Sequence, residues 1–214
     1  MALKATILKA TLNIADMDRH YYADHQLTIA QHPSETDLRV MIRLLAFALN
    51  AGDTLEFTKG LSTDDEPELW QKSLTGDIEL WVELGLPEED RLRKACNKAN
   101  QVILYTYGGR AVPVWWDKHH NKLERFSNLT IVDLPAEGTA ALAALAERSM
   151  TLQVSIQDGE VTISNEQNLV NLVQDLRDAW GNPALPVSVA TAGFLSPAMS
   201  EAEEQSRQPH GCWR

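Results

Sequence analysis

Cysteine is nearly absent from this chain, with only Cys96 and Cys212 among 214 residues. Two thiols so far apart build neither a disulfide framework nor a thiolate metal site, so a reduced, cytoplasmic protein is the default expectation. Long apolar runs are missing as well. No stretch approaches the ~20 apolar residues of a membrane span, and the N-terminus lacks the continuous apolar segment of a secretory signal. Neither membrane insertion nor export is expected. Positive charge is scarce, since 19 Lys and Arg stand against 30 Asp and Glu for a net charge of -11. Duplex affinity comes mostly from cations that neutralise phosphates, so the charge argues against indiscriminate nucleic-acid binding, while an enzyme with a local basic lip is not excluded. No repeat at a solenoid period is visible, and Gly108-Gly109 lacks the GK[ST] ending of a phosphate-binding loop, so it reads as a turn.

What is present is a 44% hydrophobic content, enough for one good core. Residues 1–181 read as a single domain, and 182–214, rich in Pro, Ala, Ser and Gly with an acidic patch at 201–204, as a disordered tail. Two alternating stretches, 3–13 and 21–31, open the chain as a β-hairpin. A largely buried helix follows, with Ser34 as its N-cap and Asp37 as the acidic partner of a capping box; Gly52 ends it. Residues 54–58 form a strand, Pro87 begins a second helix with Leu92, Ala95, Cys96 and Ala99 as its inner stripe, and 102–107 suits a strand buried on both faces. Further on, 111–116 reads as an edge strand because Pro113 cannot donate to a ladder, 129–134 as a strand and 136–148 as an Ala-rich helix. Asp158-Gly159 signals a hairpin between 152–156 and 161–163, and 165–180 reads as a last amphipathic helix.

The richest segment is EPELWQKSLTGDIELWVELGLPEEDRLRK at 66–94. Residues 77–84 alternate acidic or indole with aliphatic side chains, which marks a strand with Leu80, Val82 and Leu84 inward. A two-residue turn at Thr75-Gly76 sets Glu68 opposite Glu83, Trp70 opposite Trp81 and Lys72 opposite Glu79, all on one face. The Glu68 and Glu83 pair is repulsive unless a divalent cation, a shared proton or a lysine neutralises it. The same spacing also fits a solvated face with both carboxylates splayed into water.

The segments HPSET at 32–36, DDEPELW at 64–70, ELWVELGLP at 79–87, RLRKA at 91–95 and LYTYGG at 104–109 resemble the YaeQ family of bacterial proteins. The resemblance implies an α+β fold with a restriction-endonuclease-like αβββαβ core at about 34–107, a central mixed sheet flanked by helices, an N-terminal β-hairpin and C-terminal αβ additions. In PD-(D/E)xK nucleases, which that core resembles, two acids bind Mg²⁺ and a lysine stabilises or activates the attacking water. Here Glu68 stands for the first acid and Glu83 for the second, with Glu35 as a third metal ligand, for Mg²⁺ or Mn²⁺. Glu79 is a further ligand or water-positioning base. Gly85 occupies the lysine position, which leaves Lys72 or Lys94 as candidate cations, and each also reads as a surface lysine. Trp70 with Trp81, or Trp115-Trp116, fit base stacking or simple packing, and Arg91, Lys94 and Lys98 fit phosphate contacts or helical ion pairs. His119-His120 diverge and suit surface positions. Two functions follow: a Mg²⁺-dependent nuclease or phosphodiesterase, or a nuclease-fold protein without catalysis that binds a nucleic acid or protein partner.

Overall fold

The computed structural model describes residues 5–58 and 65–172. Two five-stranded mixed sheets sandwich a helix. The opening hairpin, β1 (Thr6–Asp16) and β2 (Tyr21–Gln31), forms as the alternation dictates. Its buried face carries Leu8, Ala10, Leu12, Ile14 and Ile29, while the intervening residues face water. The first sheet is completed from the other end of the chain. Strand β8 (Ser149–Gln157) runs parallel to β1, β9 (Glu160–Ser164) pairs with β8, and β10 (Leu169–Leu172) closes the far edge, giving the order β10-β9-β8-β1-β2. Asp158 and Gly159 both have positive φ, 53° and 77°, as a two-residue primed turn requires.

Helix α1 (Asp37–Asn50) is buried on every side from Val40 to Asn50, because sheet one covers it from one direction and sheet two from the other. Arg19 finishes it: held by Asp16, it donates to the Ala48 and Ala51 carbonyls at the helix end. The second sheet has the order β3-β4-β5-β6-β7, from β3 (Leu55–Phe57), β4 (Leu69–Lys72), β5 (Ile78–Leu84), β6 (Ala99–Thr106) and β7 (Leu129–Asp133). Strands β5, β6 and β7 are parallel. Helices α2 (Glu89–Lys98) and α3 (Ala111–Leu123) cover its outer face, where Trp81, Leu92, Val102, Leu104, Trp115 and Leu123 form a second core. Helix α4 (Ala136–Ala143) packs beside α1 and places Leu142 in the first core. The order from α1 to β6 is helix, three strands, helix, strand. No helix among the described residues is long and apolar enough to cross a membrane.

Several local expectations are corrected. The N-cap of α1 is Thr36, which accepts the Arg39 N–H, whereas Ser34 bonds the His32 ring instead. Helix α2 begins after Glu88, so Pro87 lies just outside it, and Ala99 already belongs to β6. Residues 111–116 are not a strand but the start of α3. Pro113 sits in the first turn, where the missing N–H has no helical partner to lose. Leu169 to Leu172 are a strand, not part of a helix. Asn165 closes a turn by accepting the N–H groups of Gln167 and Asn168, after which Val170 and Leu172 alternate inward against β9. The remainder of that expected helix, and the tail at 182–214, lie outside the described residues. Helix α4 stops at Ala143, short of the expected 148.

Candidate functional site

The parallel strands β5 and β6 end beside the start of α1, and buried charged residues collect there, Asp16 apart, which holds Arg19 at the other end of α1. Glu35 precedes the α1 cap, Arg39 and Arg43 follow at one and two turns, Glu68 enters β4, Gly85 leaves β5 and Tyr107 leaves β6. In open sheets with parallel strands, the carboxyl ends are where ligands are usually received. Glu68 is 2% exposed and Arg43 only 4%.

Arg39 is the hub. Its guanidinium donates to Glu68 and, at 3.1 Å, to the Tyr107 hydroxyl, and Nε lies 3.9 Å from Glu35. Arg43 donates to both Glu35 oxygens at 3.3 and 3.2 Å and pairs with Glu68 Oε2 at 3.3 Å. That last contact is an ion pair without hydrogen-bond alignment, so Glu68 Oε2 and Arg43 Nε are buried with no hydrogen bond. Two acids and two guanidinium groups thus neutralise one another in a site shielded from water.

Gly85 bears on the same group. Its φ of +93° is the left-handed region, which any side chain would occupy under strain. A Cβ there would meet Arg39 Nη1 at 3.7 Å. The cation nearest the glycine therefore comes from α1, not from Lys72 or Lys94. Lys72 Nζ sits 3.4 Å above the Trp70 ring, and Lys94 is exposed on α2.

Glu83 is held from the opposite side of the sheet. Arg91 of α2 pairs with it at 2.9 Å and the Trp81 indole donates to it at 3.1 Å. Burial pushes the Glu83 carboxyl above its ordinary value, Arg91 and Trp81 pull it down, and the charge of Glu68 adds a smaller push upward. The two carboxylates feel each other, yet one is gripped from α1 and the other from α2.

The expected hairpin register holds where it matters for the tryptophans: Trp70 faces Trp81. It fails nearer the turn, because Ser73, Leu74, Thr75 and Gly76 make a longer loop, with Gly76 at φ +91°. The extra residue is absorbed by a bulge that leaves Lys72 opposite Ile78 and hands Glu79 to the Gln71 amide at 3.2 Å. Trp81 and Trp115 are buried, and Trp115 donates to the Pro87 carbonyl, so both are packing residues. His119 is buried against Trp115 and not at the surface; it lies on the inner stripe of α3, one turn after that residue. Burial also raises the Cys96 thiol to about 11, which makes it a poor nucleophile. No group of three or more His, Cys, Asp or Glu side chains suited to a metal ion occurs among the described residues.

The arginines were missed at the level of sequence, although a signal existed. Glu35, Arg39 and Arg43 recur every four residues, from just before the helix into a run that is otherwise apolar from Val40 to Leu49, a spacing that stacks the three charges on one side.

A YaeQ protein family profile matches residues 1–174. The chain belongs to the YaeQ family. It is 49% identical over 184 residues to "Uncharacterized protein YaeQ" of Escherichia coli (strain K12), covering 86% of this chain and 100% of that one. The same name and coverage attach to a protein of Salmonella typhi at 48% identity. Among solved structures, the YaeQ protein of Xanthomonas axonopodis pv. citri matches with a TM-score of 0.76 and 53% identity, over 79% of this chain and 96% of that one. The YaeQ protein of Pseudomonas syringae matches with a TM-score of 0.73 and 34% identity, over 79% and 97% of the two chains.

Proposed function

We propose that this YaeQ-family protein is a nuclease-like fold that has lost catalysis and acts by binding a partner. The single observation that carries this reading is the pairing of the three principal expected metal-ligating carboxylates with guanidinium groups, Glu35 and Glu68 with Arg39 and Arg43, and Glu83 with Arg91, while Glu79 is held by the Gln71 amide. A divalent cation entering this set would have to displace buried ion pairs and sit among three arginines. As arranged, the residues do not fit Mg²⁺ or Mn²⁺. Gly85 at the lysine position, with its left-handed backbone, points the same way.

Calorimetric titration tests the reading directly. No saturable heat is expected up to millimolar Mg²⁺ or Mn²⁺, and no cleavage of single-stranded, duplex, branched or RNA substrates. Metal binding that disappears in Glu83→Gln, together with metal-dependent cleavage, would overturn it. The alternative, a metal-dependent nuclease or phosphodiesterase, draws on one observation: the Glu68 charge is felt at Glu83. In that enzyme Arg39, next to Gly85, is the cation nearest the empty lysine position.

A further inference from the structure

The two sheets part along one side of the molecule, and α1 is visible between them. Here β2 is the terminal strand of the first sheet and β3 the terminal strand of the second, so both present edges with no strand beyond them among the described residues. The opening is a groove of about 580 Å³. Four consecutive residues of β2, from His25 to Thr28, and three of β3, from Leu55 to Phe57, line it. Successive side chains of a strand point to opposite faces, so consecutive lining residues mean that the strand offers its backbone edge.

The floor is aromatic. Phe57 stacks on Phe47 at 5.2 Å, Phe47 meets His25 edge-on at 5.1 Å, and His25 bonds the Tyr21 hydroxyl at 2.8 Å. The rim is acidic. Asp53 and Glu56 line the groove, both are exposed, and neither has an ion-pair partner among the described residues. The flanking cations are committed elsewhere, Arg19 to Asp16 and Arg43 to Glu35 and Glu68.

Strand β2 also lacks the usual protection of an edge. It runs for 11 residues with no Lys, no Pro and one acid, Asp24, whose side chain is taken by Asn13. From the open backbone edge, the aromatic floor and the unpaired carboxylates, we infer that this groove receives an extended basic segment of a partner protein, added as a strand along β2. Its apolar side chains rest on Phe47 and Phe57, and its lysines or arginines face Asp53 and Glu56. A second copy of this chain is disfavoured as occupant, because it would bring a molecule of net charge -11 against the same acids. The groove borders the buried cluster through Arg43, whose guanidinium lies 5.4 Å over the Phe57 ring, but none of Glu35, Glu68 and Glu83 lines it, so its failure would leave the reading above untouched.

The test uses the full chain and a fluorescein-labelled ten-residue peptide that alternates lysine with valine and phenylalanine. Saturable binding is expected by anisotropy, weakened about tenfold or more in Asp53→Lys with Glu56→Lys and abolished when the peptide's lysines become glutamates. Both substituted residues are exposed, so the fold is retained. Amide exchange should slow between residues 24 and 28 when the peptide binds, a mark of strand addition that charge attraction alone does not leave. Absence of saturable binding, equal binding by the charge-reversed variant, unchanged exchange along β2, or dimerisation of the chain through this edge in sedimentation would each overturn the proposal.

Discussion

The two sheets of this protein are built from the same number of strands and differ in what covers them. The first meets the core on one face and water on the other, and its outer surface is a lattice of Thr, Gln, Asn and Ser tied by bonds such as Gln153 to Asn13. The second is covered on both faces, by α1 and by α2 with α3, and its buried acids Glu68 and Glu83 meet arginines of those helices, whereas the first sheet, among the described residues, buries one acid, Asp16 at the end of β1, against Arg19. Covering a sheet twice removes water from polar residues at its ends, and such residues then need partners at close range. Charge on the outer face of the first sheet is optional; in the second it is coupled to the fold.

That contrast is sharpest at Arg43. Truncation to alanine leaves Glu35 and Glu68 buried and short of cations, and the expected loss is about 3 to 5 kcal/mol in urea unfolding. A loss below about 1 kcal/mol would break the contrast, because surface ion pairs give that little. Gly85→Lys is expected to cost about 1 to 2 kcal/mol from the left-handed backbone and to confer no metal-dependent cleavage, even though it restores the missing residue type. Gain of cleavage would instead favour the enzyme reading.

A smaller effect is expected at Glu83. Its folded pKa lies above the ordinary 4.5, so over the interval between the two the native state keeps a proton that the unfolded chain has released. Native stability therefore falls as pH rises through that interval. Glu83→Gln has no such proton, so the stability of the wild type relative to the variant should decline as pH is raised from 4.5. The opposite slope in paired unfolding curves would mean that Arg91 outweighs burial. The smallest effect belongs to the first sheet: Thr151→Ala, on its watered face, should shift stability by less than about 0.5 kcal/mol.

The same division governs how much was legible beforehand. Strands β1, β8 and β9 alternate because only one face is buried, and the Asp158-Gly159 turn is local chemistry, so both could be read from the chain. The Trp70 and Trp81 pairing was also readable, although the loop beside it was longer than expected and a bulge restored the register. Misreadings fell where local patterns fit two structures. Residues 111–116 are apolar and aromatic enough for a strand, yet Pro113 suits a first helical turn equally well; apolar positions at 169, 170 and 172 satisfy both periods.

Of the candidate site, the acids Glu35, Glu68 and Glu83 could be named from the sequence, and so could the gap at Gly85. Their partners could not. Arg39 reaches Glu68 across 29 positions of chain, and Arg91 meets Glu83 only because α2 folds back over β5. The sequence by itself determined the alternation of β1, β8 and β9, the Asp158-Gly159 turn, the helix, three strands, helix, strand order from α1 to β6 and the four-residue spacing that sets Glu35, Arg39 and Arg43 in a stripe, since each depends on residues a few positions apart. Only the tertiary structure decided that the stripe is buried between two sheets and that guanidinium groups stand beside the carboxylates. Burial and ion pairing depend on which distant surfaces meet, and local pattern carries no record of that.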